Sequence, residues 1–195
     1  MFRTCLRIVA ACLVLLSATV TLAQIPLDVD LGPRVDPGDA TAVYQAITAR
    51  YFGTVPEVVA RLEVRYGDAD DLAVGLFIGD RSGAPADRVL ELRSQGLTWW
   101  KVARELGLSH AVWFVETEGD LPDPFGRVYG HWRRHEQDPR YVVVVTDIDA
   151  QNLVAARVMH EYFDIPLRQA MTRRAGGDNL RYLVADEYVR RRESR

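Results

Sequence analysis

Three times in this chain a proline is followed, eleven residues later, by a glycine: Pro56 and Gly67, Pro85 and Gly96, Pro166 and Gly177. Proline lacks an N–H and has φ fixed near the helical value, so it suits a first helical turn; glycine accepts the left-handed conformation that ends a helix. Each pair therefore frames a helix of about ten residues. Similar strings flank the pairs: Leu62-Glu63-Val64-Arg65 parallels Leu90-Glu91-Leu92-Arg93, and Tyr51-Phe52 parallels Tyr162-Phe163. A helix this short cannot bury its apolar face alone, so neighbouring units must share a core. The first two copies are offset by 29 residues and the third by a further 81, which excludes a regular solenoid and requires an inserted segment.

The punctuation elsewhere is also helical. Val43, Ile47 and Tyr51 recur at four-residue spacing after Asp36-Pro37, predicting a helix that Gly53 ends. Val58, Val59 and Leu62 face inward in the next one. Asp68 with Asp71 predicts a capped start for a helix carrying Leu72, Leu76 and Phe77, and Thr146 with Asp149 does the same for one through Val154, Val158 and Phe163. A last helix starts near Asn179 and ends in Arg190-Arg191-Arg192, cations that favour a helix C-terminus. Residues 116–145 break this pattern. Pro122 and Pro124 lie in an acidic stretch without helical period, and Tyr141-Val142-Val143-Val144-Val145 is β-branched and short, so an inserted loop followed by a short extended strand or stretch is expected. The expected fold is all-α, about seven to eight helices in irregular helix-turn-helix modules, with modules at 38–115 and 146–195 forming a single helical domain, 38–195.

The amino-terminal segment sets the expected compartment. Arg3 and Arg7 precede an apolar run from Ile8 to Leu16, and Thr21-Leu22-Ala23 leads to Gln24, the layout of a signal peptide over 1–23 cleaved near Ala23. Val9-Ala10-Ala11-Cys12 has the look of a lipoprotein box, but the apolar run continues beyond Cys12, where a lipoprotein's ends. Residues 24–37, with Pro26, Pro33 and Pro37, read as an extended arm. Both cysteines, Cys5 and Cys12, leave with the signal, so the exported chain (periplasmic or secreted) has no disulfide and no thiol nucleophile. Loss of Arg3 and Arg7 from the 24 basic residues leaves 22 against 27 acidic ones, a net charge of −5. That argues against a nucleic-acid partner, which calls for clustered cations. No later stretch approaches the ~18 apolar residues of a membrane span.

Four constellations carry chemistry. Gly96-Leu97-Thr98, Val102-Ala103 and Leu106-Gly107-Leu108-Ser109 match a helix-turn-helix, whose second helix would run from Ser109 to Glu116. That stretch holds no Arg, Lys, Asn or Gln to read base edges, so the motif is structural. His131 and His135 share one face if helical, with His110 and His160-Glu161 elsewhere, yet no His-Glu-x-x-His string or acid-rich calcium loop accompanies them; no metal or cofactor is expected. Hydrolysis lacks a nucleophile elbow, leaving only Glu116, Glu118, Asp120 and Asp123 as carboxylates for sugar chemistry, and no residue is assigned a catalytic role. Trp99-Trp100 reads as one core tryptophan and one partly exposed. The remaining stretch, Tyr129, His131, Trp132, Arg133, Arg134 and His135, combines the side chains that dominate binding surfaces, and is the candidate site.

The strings Leu76-Phe77-Ile78-Gly79-x-x-Ser82-Gly83-x-Pro85, Val89-Leu90-x-Leu92-Arg93-x-x-Gly96-x-x-Trp99 and Phe125-Gly126-x-x-Tyr129-Gly130 resemble a family of small, uncharacterised exported bacterial helical proteins, as does the block from Tyr162-Phe163-x-x-Pro166 to Gly177. The resemblance spans most of 72–188 and implies export and helices but no activity. The expectation is a non-enzymatic exported or envelope protein that binds an envelope protein or peptide through an exposed aromatic–arginine loop. The alternative is an envelope enzyme acting on cell-wall or polysaccharide substrate through the loop carboxylates.

Overall fold

Proline, glycine and short polar caps divide the chain into the helices of a computed structural model that describes Leu31 and residues 35–194. The expected signal segment and most of the arm lie outside the described residues. Nine α-helices are present among those described: α1 Ala40–Tyr51, α2 Pro56–Tyr66, α3 Ala69–Ser82, α4 Ala86–Ser94, α5 Trp99–Glu105, α6 Phe125–Gln137, α7 Asp147–Phe163, α8 Leu167–Ala175 and α9 Leu180–Glu193. A single 3-10 turn, His110–Trp113, follows α5.

The caps explain most boundaries. Asp68 accepts from the N–H groups of Asp70 and Asp71 at 2.8 and 3.1 Å. Thr146 and Asp149 form the reciprocal box, with hydrogen bonds of 3.0 and 3.1 Å, and Asn179 caps α9. Gly67, Gly96 and Gly177 stand at φ of +92°, +87° and +100°. Helix α1 starts later than Asp36-Pro37 would place it. Asp36 closes a turn by accepting from Gly38 at 2.9 Å, and Asp39 takes the cap, binding the N–H groups of Thr41 and Ala42.

Helices α3 and α7 are the most buried, and they pack on each other; α1 packs on α2 and α9, α4 on α3, and α8 on α7. One apolar cluster joins residues from Val43 to Tyr188, with Trp99 fully enclosed and Trp100 half-buried. Polar bonds tie the first turns of the two central helices to distant parts of the chain. Asp70 accepts from Arg174 at 2.8 Å, and Asp147 accepts from Arg93 at 2.7 Å.

Three expectations need correcting. The second helix of the helix-turn-helix is absent: only the 3-10 turn forms, and Phe114 is extended at φ −100°, ψ 143°. The reason is Arg157, whose guanidinium donates to the carbonyls of Val112 and Phe114 at 3.1 and 3.0 Å, capturing acceptors that a continued helix would have used. The inserted segment is not one loop, because α6 fills its middle. Residues 141–145 pair with no strand among the described residues, although burial alternates along them. Val142 and Val144 are 74% and 56% exposed, against 3% and 1% for Val143 and Val145. Period-two alternation is the mark of extended backbone.

Candidate binding groove

Helix α6 sorts the candidate residues by face. Phe125, Val128, Tyr129 and Trp132 recur at three- and four-residue intervals, so they share one side of the helix. That side meets Phe114. Trp132 stacks on the Phe114 ring at 4.6 Å and 6°, and Tyr129 meets it edge-on at 5.1 Å. Tyr129 is only 1% exposed, which corrects the expectation of an exposed aromatic patch. Its hydroxyl donates to the Val115 carbonyl at 3.0 Å and accepts the Val115 N–H at 3.2 Å, while burial pushes the phenol above its ordinary pKa. The tyrosine thus pins the segment that replaces the missing helix.

Arg133 is also structural, donating to the carbonyls of Thr117 and Gly119, both at 3.2 Å. Gly126 is required by close approach: a Cβ there would lie 2.9 Å from the Leu121 carbonyl oxygen.

The opposite side of α6 gathers around Tyr141. His131 Nδ1 lies 2.5 Å from the Tyr141 hydroxyl, with the two rings stacked, and the Arg134 guanidinium sits 5.0 Å from the centre of the same ring. His135 donates from Nδ1 to the Tyr141 carbonyl at 2.5 Å. A carbonyl can only accept, so Nδ1 carries the proton and Nε2 is the remaining ring nitrogen. The His135 ring then meets His110 edge-on at 4.2 Å. His110 falls below the ordinary imidazole pKa because burial disfavours its charged form and His135 adds to this, with Glu136 opposing. His160 stands apart, its Nδ1 donating to the Ile165 carbonyl at 2.7 Å.

Beside this cluster lies a cavity of about 280 Å³. One wall comes from α5 and the turn after it, through Trp100, Arg104, Leu108 and His110; the other is His135 with Tyr141, Val142 and Val143. The walls are mixed: Trp100, Leu108, Pro139, Val142 and Val143 are apolar, and the two histidines, Tyr141, Ser109 and Arg104 are polar. Arg104 makes no ion pair, hydrogen bond or ring contact among the described residues, and no carboxylate among them lines the cavity. A recess where apolar side chains and convergent polar groups meet is a usual form of a binding site. Lys101, the chain's one lysine, is exposed one turn before Arg104.

Of the six candidates, the fold brings His131, Arg134 and His135 to Tyr141, and only His135 reaches the cavity wall. The acids Glu116, Glu118, Asp120 and Asp123 are exposed, and none lines the cavity. Among the described residues no group of three or more His, Cys, Asp or Glu is placed to hold a metal ion, and no helix is long and apolar enough to cross a membrane. The residues missed by sequence reasoning are Trp100, Arg104, Tyr141 and Val142. The signal for Trp100 was its pairing with a core tryptophan, which leaves it on the other face of α5. Comparison of the chain with family models, with curated proteins and with solved structures finds no match to any of them.

Proposed function

We propose that this chain is a non-enzymatic, exported binding module whose groove between α5 and residues 141–143 takes a peptide segment of an envelope protein. Arg104 carries the reading. It is an exposed guanidinium on the wall of a recess of mixed polarity, with no internal partner among the described residues and no carboxylate among those lining the recess. Such a group is matched by an apolar ligand bearing an acid, since arginine binds carboxylates through two parallel hydrogen bonds. Trp100 supplies the broad, stiff surface typical of binding hot spots. Export is supported by the character of residues 1–23.

The recognition surface is therefore placed one helix face away from the aromatic–arginine stretch, whose Tyr129 and Trp132 are engaged with Phe114. A photo-crosslinking amino acid at Val142 tests this in envelope preparations. The expected result is a discrete crosslinked protein that disappears when Arg104→Glu is added and is absent with the crosslinker at Arg168. Identical patterns from both positions would overturn the proposal.

A further inference from the structure

We infer that the partner binds by adding a β-strand to residues 142–145, an inference that rests on the groove reading above and specifies how the groove is used. Among the described residues, the backbone N–H and C=O groups of Val142, Val143, Val144 and Val145 make no hydrogen bond. Yet the segment is held in place at both ends and along one side. Tyr141 donates its N–H to Asp138 at 2.9 Å and its carbonyl takes His135; Thr146 is fixed as the cap of α7; Val143 and Val145 are sunk into the core. Its alternating burial is the side-chain pattern of a strand, and no strand among the described residues pairs with it. Unpaired backbone in this conformation templates the pairing of another chain, and β-branched residues favour it.

The cavity fits the same geometry. Val142 and Val143 belong both to the strand and to the cavity lining, so a chain laid beside the strand runs along the mouth of the recess. In strand addition, backbone bonds give affinity and alternate side chains fall into pockets that give specificity. A volume of about 280 Å³ between Trp100 and Leu108 suits one large apolar side chain. Charge selects its neighbour: Arg104 lines the recess and exposed Lys101 lies one turn before it on α5, both without ion-pair partners among the described residues, so an acidic residue two positions along the same face is favoured. The occupant is thus an extended peptide with an apolar anchor and a nearby Asp or Glu. A second copy of this chain fits less well: the acid two residues past its own 142–145 segment, Asp147, is already held by Arg93 and the Trp99 N–H and is not available to meet Arg104.

The test uses the protein with blocked nonapeptides of alternating Thr and Val, carrying one Trp and an Asp two residues from it, scanned through every register. The tightest peptide is then remade with N-methyl groups on odd or on even residues, which removes the donors of one edge or the other. The expected result is asymmetric: one N-methylated form loses roughly tenfold or more in affinity, as expected for two or more lost ladder bonds, while the other binds within about threefold. Amides within 142–145 should gain protection from hydrogen exchange, and Arg104→Glu should weaken the Asp peptide more than its Asn analogue. Equal binding by both methylated forms, with a shifted Trp100 indole resonance, overturns strand addition while leaving the groove reading intact. No response of the Trp100 resonance to any peptide overturns both. Amides of 142–145 already protected in a concentration-dependent dimer would assign the edge to a second copy and also overturn the proposal.

Discussion

Arg93 and Arg174 hold the same place in two copies of one unit: each lies eight residues after the proline and six before the first residue of the following helix. Each binds an aspartate from the first turn of a central helix, and that aspartate also accepts the N–H that opens the next helix. For Arg93 the acceptor is Asp147, which takes the Trp99 N–H at 2.8 Å; for Arg174 it is Asp70, which takes the Leu180 N–H at 2.8 Å. Each arginine closes its own turn through a carbonyl four residues on, Leu97 at 3.0 Å and Asp178 at 2.7 Å. The first copy has Val64 at this place, 90% exposed, and makes no such joint.

The two joints differ in burial, so their loss should differ. Arg174 and Asp70 are 8% and 9% exposed, and burial already pushes the Asp70 carboxyl above its ordinary pKa while Arg174 and the Leu180 N–H pull it back. Arg174→Met strands that carboxylate and should destabilise by about 3 kcal/mol or more. Arg93→Met, at a site about a quarter exposed, should cost about 1 kcal/mol. Urea unfolding of both variants checks the ranking, which equal losses would refute.

Gly96 sits at φ +87° with open space around it, so alanine there meets strain but no clash. Gly96→Ala should lose on the order of 1 kcal/mol. Gly126→Ala tests the opposite case, an ordinary backbone angle with a carbonyl too near, and should lose at least as much because a backbone atom must move. A melting temperature unchanged in either variant would remove the corresponding explanation.

Trp132 is half-buried against Phe114, whereas Arg134 is exposed over Tyr141. Trp132→Ala should destabilise by about 2 kcal/mol, below the range for a fully enclosed tryptophan. Arg134→Ala should change stability by less than about 1 kcal/mol. A Trp132→Ala protein that melts like the parent, yet no longer captures its partner, would restore this side of α6 as a contact surface.

For His110 the sign follows from its lowered pKa. The folded state takes this proton less readily than the unfolded chain, so the His110 contribution is complete above the ordinary value of 6.5 and is lost as pH falls toward the folded value. Facing groups are His135, which strengthens the effect, and Glu136, which weakens it. Melting temperature should therefore decline between about pH 7.5 and 5, and His110→Gln should flatten that decline. An unchanged slope would place its origin elsewhere.

The helix boundaries were legible because their chemistry is local: Asp68, Thr146 and Asn179 cap within three residues, and the repeated glycines carry the left-handed turns. Trp99 as a core residue was legible too, from its place in the copied unit. Helix α6 was hidden because Gly126, Gly130 and the five consecutive polar residues 133–137 masked the spacing of Phe125, Val128, Tyr129 and Trp132. The failed second helix could not be read locally, since Arg157, more than forty residues away, removes its acceptors. The groove was invisible for a similar reason. Trp100 and Arg104 share a helix face with one another, but no period in the sequence links them to Val142 and Val143.

Helix α1 lies against α9, and Asp70 reaches both α8 and the start of α9. In kinetic terms, the amino-terminal helices leave one side of α1 and the Asp70 carboxylate without their partners until the last helix exists. Loops of about a hundred residues must be drawn in before the deepest polar contacts reward the search. Collapse should be late and concerted, and a ribosome-bound fragment lacking α9 should stay open to protease. Adding or trimming a unit, which a solenoid tolerates, would here leave two ends with nothing to close on.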